Sequence, residues 1–332
     1  MNKDTCLVTG GCGFIGSHVI DELLKSNNFK KIINIDKLGV GSDINNVSTD
    51  KRIHNYYLDI CYEEVKTIFK KYKPAFIIHL AAESHVDRSI TDPLSFINSN
   101  VVGTGNILEC IRTEVPGARV IHVSTDEVYG HLHPEDDPFI EDTPLDPRSP
   151  YSASKAGSDM LALSYRNTYN TNITVTRCCN NYGPRQHDEK LIPTIFRTLC
   201  KGSKVPVYGN GSNIREWIYV EDHAKALVEA LFIKDSKPVY NIYGSKRYKN
   251  IEIINIIVDK LKEIDPKYSR EGDLTAYIEY VKDRPGHDLC YKMDSVYNDI
   301  TSLETQKSFL SGIEETLNYY KFKYEKESKT AL

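Results

Sequence analysis

The segment Val120–Gly130 reads VIHVSTDEVYG: an apolar, β-branched run gives way to Thr125 and then to two adjacent carboxylates, Asp126 and Glu127. Carboxylates at the mouth of a buried strand need a partner or a task. Unlike surroundings can hold two such groups in opposite protonation states, one a general acid and the other a general base. Downstream, in SPYSASKAGSDMLALSY, Tyr151 and Lys155 stand one helical turn apart on one face. Ser149 is suited to cap that helix, with Pro150 at its first position. An ammonium so near stabilises tyrosinate, so Lys155 is expected to draw the Tyr151 phenol below its usual value of about 10. Tyr151 would then serve as acid/base for a sugar or alcohol hydroxyl.

YxxxK alone is commonplace; what precedes it gives it weight. In TGGCGFIGSH, Gly11, Gly13 and Gly16 fit GxGxxG, and Gly10 adds a glycine at the start of the turn. Such glycines allow a tight turn, close approach of a pyrophosphate and tight helix-on-strand packing, while amides at the next helix N-terminus face the phosphates. Asp36 ends a second apolar run about 20 residues beyond Gly16, where a carboxylate accepts from ribose hydroxyls and repels a 2′-phosphate. The cofactor expected is NAD rather than NADP, with Lys37 weakening that preference slightly.

The elements that must position these groups are short apolar runs: CLVTG (Cys6–Gly10), KIINID (Lys31–Asp36), FIIHLA (Phe76–Ala81), RVIHVS (Arg119–Ser124) and NITVTR (Asn172–Arg177). Helical stretches such as Ser17–Ser26 and Glu63–Tyr72 separate them. Strands buried on both faces and alternating with helices imply an α/β fold, a Rossmann-type doubly wound parallel sheet. Residues 1–182 are assigned to this NAD-binding domain, with a return strand at 238–244. Residues 183–332, rich in loops and carrying a helix at Asn250–Ile264, are assigned mainly to a smaller mixed α/β substrate-binding domain.

Composition narrows the class. The chain has 332 residues, 40% of them hydrophobic, and a formal net charge of -4. No long basic run suits nucleic acid, and no apolar stretch is long enough to span a bilayer. No signal peptide is expected. The eight cysteines are scattered, without metal-ligand spacing, so no metal is expected; Cys178 and Cys179 read as small residues ending a buried strand. A cytoplasmic enzyme is the expectation. His79 and His122 read as satisfied core residues, and His85 as structural.

Taken together, the chain resembles the extended short-chain dehydrogenase/reductases and, within them, the nucleotide-sugar 4,6-dehydratases, the dTDP-glucose type most of all. The resemblance runs nearly end to end, carried by TGGCGFIGSH, HLAAESHVDRSI, STDEVYG, PYSASKA, CNNYGPRQHDEKLIP, PVYGNGSNIREWIYVEDH and DRPGHD. It implies carbon 4 oxidation, elimination of water across carbons 5 and 6, and hydride return to carbon 6. Tyr151, with Lys155, would act on the carbon 4 hydroxyl beside Thr125. Glu127 would take the carbon 5 proton, and a protonated Asp126 would assist loss of the carbon 6 hydroxyl. Cofactor contacts are implied for Gly10, Gly13, Phe14, Ile15, Gly16, Asp36, Lys37, Asp59, Ile60, Leu80, Ala81, Ala82, Ser99, Tyr151, Lys155 and Asn181. Contacts to the nucleotide-diphosphate sugar are implied for Ser84, Thr125, Asn180, Lys190, Leu191, Pro206, Tyr208, Arg215, Asn250, Arg284 and His287. A homodimer is implied by family analogy.

The chain departs from the family pattern at DKLGVGSDIN (Asp36–Asn45), and at Arg185 and Asp188, which are expected beside the base pocket. Thymidine against uridine, and glucose against N-acetylglucosamine, stay open. Two other readings compete: a nucleotide-sugar 4-epimerase, which has no use for Asp126 and Glu127 together, and a non-catalytic NAD-binding scaffold, which has no need of Tyr151, Lys155 or the carboxylates.

Overall fold

The computed structural model describes residues 1–283 and 286–330; Arg284 therefore lies outside the described residues. In chain order the elements are β1 (Asn2–Thr9), α1 (Phe14–Ser26), β2 (Lys31–Asp36), β3 (Ile53–Tyr57), α2 (Val65–Tyr72), β4 (Pro74–His79), α3 (Val86–Thr91) and α4 (Pro93–Phe96). A π-helical stretch, Ile97–Val102, leads into α5 (Gly103–Glu114), then β5 (Arg119–Thr125), α6 (Pro150–Tyr169), β6 (Asn172–Cys178) and β7 (Asn180–Tyr182). The remainder is α7 (Leu191–Cys200), β8 (Val205–Tyr208), β9 (Ile214–Tyr219), α8 (Val220–Ala230), β10 (Val239–Ile242), β11 (Lys246–Lys249), α9 (Asn250–Ile264), β12 (Ile278–Val281) and α10 (Phe309–Thr330).

Among the described residues the main sheet has seven strands in the order β10-β6-β5-β4-β1-β2-β3, and each pairing is parallel. The chain winds outward in both directions from the β1–β4 junction. That junction is the topological switch point where open α/β sheets bind ligands, at the carboxyl ends of their strands. The central strands are apolar throughout because helices cover both faces: Leu7, Ile33, Ile77, Val120 and Ile173 pack on one side, and Cys6, Val8, Ile32, Ile78 and Ile121 on the other.

The return to this sheet is larger than a strand. Besides β10, which pairs with β6, helix α8 packs against α1, joining Ala224, Leu227 and Val228 to the core around Val19, Ile20 and Leu23. The segment that reads as loops around residues 205–219 holds two strands instead. β9 is paired with β7 and β11, and β8 with β12. These small sheets and α7, α9 and α10 enclose their own core, which includes Tyr182, Phe196, Trp217, Tyr219, Ile257 and Tyr320.

Candidate active site

The β1–α1 turn is built by its glycines. Gly10 takes φ +76°, a left-handed conformation costly to other residues, and a Cβ on Gly16 would lie 2.1 Å from the Gly10 carbonyl oxygen. Helix α1 therefore starts directly against the end of β1. Gly13 is its N-cap, and among the described residues no side chain caps it. Its first amides thus face the cleft, an arrangement suited to a pyrophosphate. Asp36 ends β2, where its Oδ2 accepts from the Cys12 amide at 2.9 Å and its Oδ1 from the Leu38 amide at 2.8 Å. These bonds fix the carboxylate at the edge of the cleft. Lys37 does not oppose it: its ammonium lies 2.9 Å from Glu83 Oε1 and 3.8 Å from Asp59 Oδ2, and donates to Ser99 Oγ. These residues fit NAD: a glycine cradle that a methyl group would fill, and a carboxylate whose neighbouring cation, Lys37, is engaged by Glu83 and Asp59 rather than held for a 2′-phosphate.

β5 carries the candidate reacting groups. Its end, Thr125, leads into a single 3-10 turn, Asp126–Tyr129. The Thr125 hydroxyl donates to Asp126 Oδ1 at 3.1 Å and accepts from the Glu127 amide at 3.3 Å. Asp126 is 2% exposed, and its Oδ2 has no hydrogen-bond partner among the described residues. Burial, reinforced by the neighbouring Glu127 charge, pushes the Asp126 carboxyl well above the usual carboxylate range. Glu127, next in sequence, is only half-buried. The two carboxylates thus occupy unlike surroundings, and the buried one is the natural proton carrier.

Helix α6 brings Tyr151 and Lys155 to the same place. The Ser149 Oγ accepts from the Ser152 amide and the Ser152 Oγ from the Ser149 amide, each at 3.0 Å, so the start of the helix is held by a reciprocal capping box with Pro150 at its first position. The Tyr151 phenol is nevertheless not lowered overall, although the spacing of Lys155 suggests it would be. The Lys155 ammonium donates to the Val123 carbonyl at 2.8 Å, and the phenol is held well above its usual range by burial and by the Glu127 charge. The Thr125 hydroxyl works in the opposite sense on that phenol. Helical spacing placed the two side chains on one face; what each ammonium hydrogen meets is set by the neighbouring strand.

A cavity of about 290 Å³ joins these parts. Of the residues expected to touch cofactor or sugar, Gly10, Gly13, Phe14, Ile15, Gly16, Asp36, Lys37, Ile60, Leu80, Ala81, Ala82, Ser84, Ser99, Thr125, Asp126, Glu127, Tyr151, Lys155, Asn180, Asn181 and Lys190 line it. Lys190 also donates to the Ser84 carbonyl across the cleft, at 2.7 Å. Asp59, Leu191, Pro206, Tyr208, Arg215, Asn250 and His287 are outside that lining. Asp59 instead sits beside Lys37 and accepts from the Cys61 amide. Leu191 opens α7, directly after Lys190.

The remaining five cluster on the smaller lobe. Pro206 and Tyr208 face outward from β8, and Tyr208 meets the His287 ring edge to face at 6.2 Å. His287 Nδ1 is 2.7 Å from Asp283 Oδ1. Asn250 starts α9 with its side-chain Oδ1 buried and unpartnered among the described residues. Arg215 is committed to backbone: its guanidinium donates to the Ile214 and Asp288 carbonyls at 2.8 Å and lies over the Tyr291 ring. Arg185 pairs with Asp21 at 2.7 Å, and Asp188 accepts from the Tyr324 hydroxyl at 2.8 Å.

Sequence reasoning passed over Glu83, Gln186, His187 and Glu189, which also line the cavity, as do Gly39–Ser42. For Gln186, His187 and Glu189 the signal available was the stretch PRQHDEK itself, which follows Asn180 and Asn181 and ends in Lys190. The three histidines are structural. His79 bridges Thr9 and Thr104, His122 meets Ser158, and His85 accepts from the Arg88 amide at the start of α3.

With this geometry in view, comparison with known proteins is direct. The family model described as GDP-mannose 4,6 dehydratase matches residues 7–315. The dTDP-glucose 4,6-dehydratase of Neisseria gonorrhoeae is 41% identical, covering 96% of each chain, and that of Salmonella typhimurium is 42% identical over 95% of this chain and 92% of its own. Among solved structures, the dTDP-glucose 4,6-dehydratase of Streptomyces venezuelae with NAD bound superposes with a TM-score of 0.87 at 37% identity, covering 96% of this chain and 97% of that one. UDP-glucose 4-epimerase from Thermotoga maritima shares the fold at a TM-score of 0.83 but only 27% identity, covering 96% and 99% of the two chains. The chain therefore belongs to the GDP-mannose 4,6-dehydratase family of short-chain dehydrogenase/reductase folds. Its activity is NAD-dependent nucleotide-sugar 4,6-dehydration, which makes it a hydro-lyase rather than an epimerase or a scaffold.

Proposed function

We propose that the substrate is dTDP-glucose and the product its 4-keto-6-deoxy derivative, the reaction named for the relatives at 41–42% identity. The observation that carries this reading is the carboxylate pair after β5, with Asp126 buried and held protonated beside a half-exposed Glu127. NAD, when bound, takes the carbon 4 hydride and later returns it to carbon 6. The amides of the Gly10–Gly16 turn would hold its pyrophosphate, and Asp36 the adenosine ribose.

The chain's own groups move protons. Thr125 Oγ1 orients the carbon 4 hydroxyl, and Tyr151 Oη accepts its proton as tyrosinate, a form that the Lys155 ammonium one helical turn away favours against the burial that otherwise holds the phenol protonated. A carbon 4 ketone acidifies the carbon 5 proton, which the Glu127 carboxylate removes. Asp126 gives its proton to the carbon 6 hydroxyl, which leaves as water. Once hydride has reached carbon 6, the Glu127 carboxyl, its proton exchanged with solvent, returns one to carbon 5. Burial of Asp126 favours the protonated form that the loss of water needs, where an exposed carboxyl would be ionised. Ser84, Asn180 and Lys190 would hold the sugar and diphosphate, with Tyr208, His287 and Asn250 nearer the base.

The test is turnover in heavy water with dTDP-glucose, UDP-glucose and UDP-N-acetylglucosamine offered separately and products read by mass spectrometry. Loss of water with one deuterium at carbon 5, and preference for dTDP-glucose, is the expected result. Preference for a uridine nucleotide would overturn the substrate assignment, and an unchanged mass with inverted carbon 4 would overturn the reaction.

The same proposal includes a homodimer and a cytoplasmic location. The packed helices α3, α4 and α6, with the π-helical turn, expose Ile90, Leu94, Ile97 and Met160, apolar side chains that a second copy would cover. Light scattering should give twice the monomer mass, and Leu94→Asp should halve it. All eight cysteines are free, which suits a reducing compartment. Among the described residues no helix is long and apolar enough to cross a membrane.

A further inference from the structure

Beneath the reacting groups lies a buried charge cluster that the mechanism above does not use. Asp159 follows Lys155 by one turn of α6 and is wholly buried. Its Oδ2 accepts from Arg177 Nε at 3.0 Å, and its Oδ1 lies 3.5 Å from His122 Nε2. Arg177, 2% exposed, rests with its guanidinium 4.7 Å from the centre of the Tyr129 ring, and Tyr129 donates to Asn241 Oδ1 at 2.7 Å. Lys155 is itself only 5% exposed and has the uncharged Val123 carbonyl as its hydrogen-bond acceptor.

An ammonium out of water is stabilised by a nearby anion and destabilised by burial. The titratable groups around Lys155 and Asp159 are Tyr151 on α6, His79 on β4, His122 on β5, and Arg177 and Cys178 on β6. Both histidines are fully buried and drawn down toward their neutral forms, chiefly by burial. Cys178 is pushed up to about 12, again by burial, and stays a thiol. Asp159 thus pairs directly with Arg177 and stands one turn of α6 from the buried Lys155.

We propose that Asp159 is a positioning residue for the dehydratase, the buried counter-ion that keeps Lys155 charged behind Tyr151 while Arg177 holds it in place. This rests on the reading of Lys155 given under the proposed function. The sense of the effect follows from the charges. Burial lowers the Lys155 ammonium from its ordinary value and Asp159 raises it. Without Asp159, Lys155 loses its proton at lower pH, and activity that needs the charged form fails earlier on the alkaline side. Removing Arg177 takes away a competing cation and acts in the opposite direction.

The experiment is the pH profile of kcat and KM for dTDP-glucose, from about pH 6 to pH 10, with wild-type holoenzyme, Asp159→Asn, Asp159→Glu and Arg177→Met. Asp159→Asn should move the alkaline limb of kcat down by about one pH unit, with KM changed less than kcat, and Asp159→Glu should bring the limb most of the way back. Arg177→Met should leave the limb in place or move it up. It reads the same charge from the other side should Asp159→Asn not yield folded protein. A folded Asp159→Asn whose alkaline limb coincides with wild type would overturn the proposal, as would a downward shift in Arg177→Met. Wild-type enzyme inactive on dTDP-glucose would instead sink the substrate reading, and the profiles would then be taken on the donor it does accept.

Discussion

At the scale of single residues, neighbouring side chains divide the work by environment. Glu127 and Asp126 are the same chemical group, yet only Asp126 is buried, and burial holds its proton. In the mechanism proposed, Glu127→Gln removes the base and should leave the carbon 4 step intact. Product formation should fall by about 10²–10⁴-fold, while the absorbance of reduced nicotinamide builds up on the enzyme when substrate is added. Full turnover in that variant would remove Glu127 from the role of base. Asp126 makes a second expectation about stability. Its folded pKa is raised, so its contribution favours folding below the ordinary carboxyl value and is lost as pH rises toward the folded value. Asp126→Asn should therefore be more stable than wild type near neutral pH, and the gap should shrink as pH falls to about 4. Paired urea melts at the two pH values check this. A gap that does not vary with pH would mean Asp126 is ionised in the folded protein.

At the scale of elements, the cofactor turn depends on contact between backbones. The Gly16 position leaves no room for a methyl group against the Gly10 carbonyl, so Gly16→Ala must push α1 off β1. The expected outcome is enzyme purified with little nicotinamide nucleotide, measured in the supernatant after acid precipitation, although the large sheet is retained. Ser149→Ala should be milder, lowering stability by about 1 kcal/mol through loss of the capping box on α6. Both elements were legible in the sequence, because glycine spacing and capping are local signals. The strand Lys31–Asp36 likewise matches at both ends, being apolar and buried on both faces. β3 escaped notice because it is an edge strand, IHNYY, with little apolar content. β8 and β9 escaped because glycine and proline crowd their flanks and their partners β12, β7 and β11 are distant in sequence. Lys155 was found, but its acceptor, a carbonyl on β5, depends on tertiary packing that helical spacing does not encode.

At the scale of the whole molecule, the cofactor cleft has walls from both lobes, and one residue ties them. Residues Gly39–Ser42 line one wall and Gln186, His187 and Glu189 the other. Between these walls Arg185 holds φ +69°, unusual for a side chain of its size. Its guanidinium reaches back to Asp21 on α1 at 2.7 Å and donates to the Asn46 carbonyl at 3.2 Å, behind the cleft loop. His18 meets the Pro184 carbonyl at 3.0 Å, a second tie from α1 to the same segment. The arrangement ties the cleft loop and the Pro184–Arg185 segment to α1. Arg185→Ala should then release NAD faster and leave the chemistry of a loaded enzyme unchanged. Because the Arg185–Asp21 pair is about one quarter exposed on each side, water screens it. The gain in release rate should be modest, roughly 2- to 10-fold, matching the range of about 0.5–1.5 kcal/mol for a partly shielded pair with one added hydrogen bond. Asp21→Asn should reproduce most of the change, and the double variant should add little, since both mutations break one contact. The measurement is loss of bound nicotinamide nucleotide after rapid dilution into nucleotide-free buffer, followed at two salt concentrations. Salt should speed release in wild type more than in Arg185→Ala, because only wild type has the pair to screen. Equal release rates in all of these proteins would show that the glycine turn alone retains the cofactor.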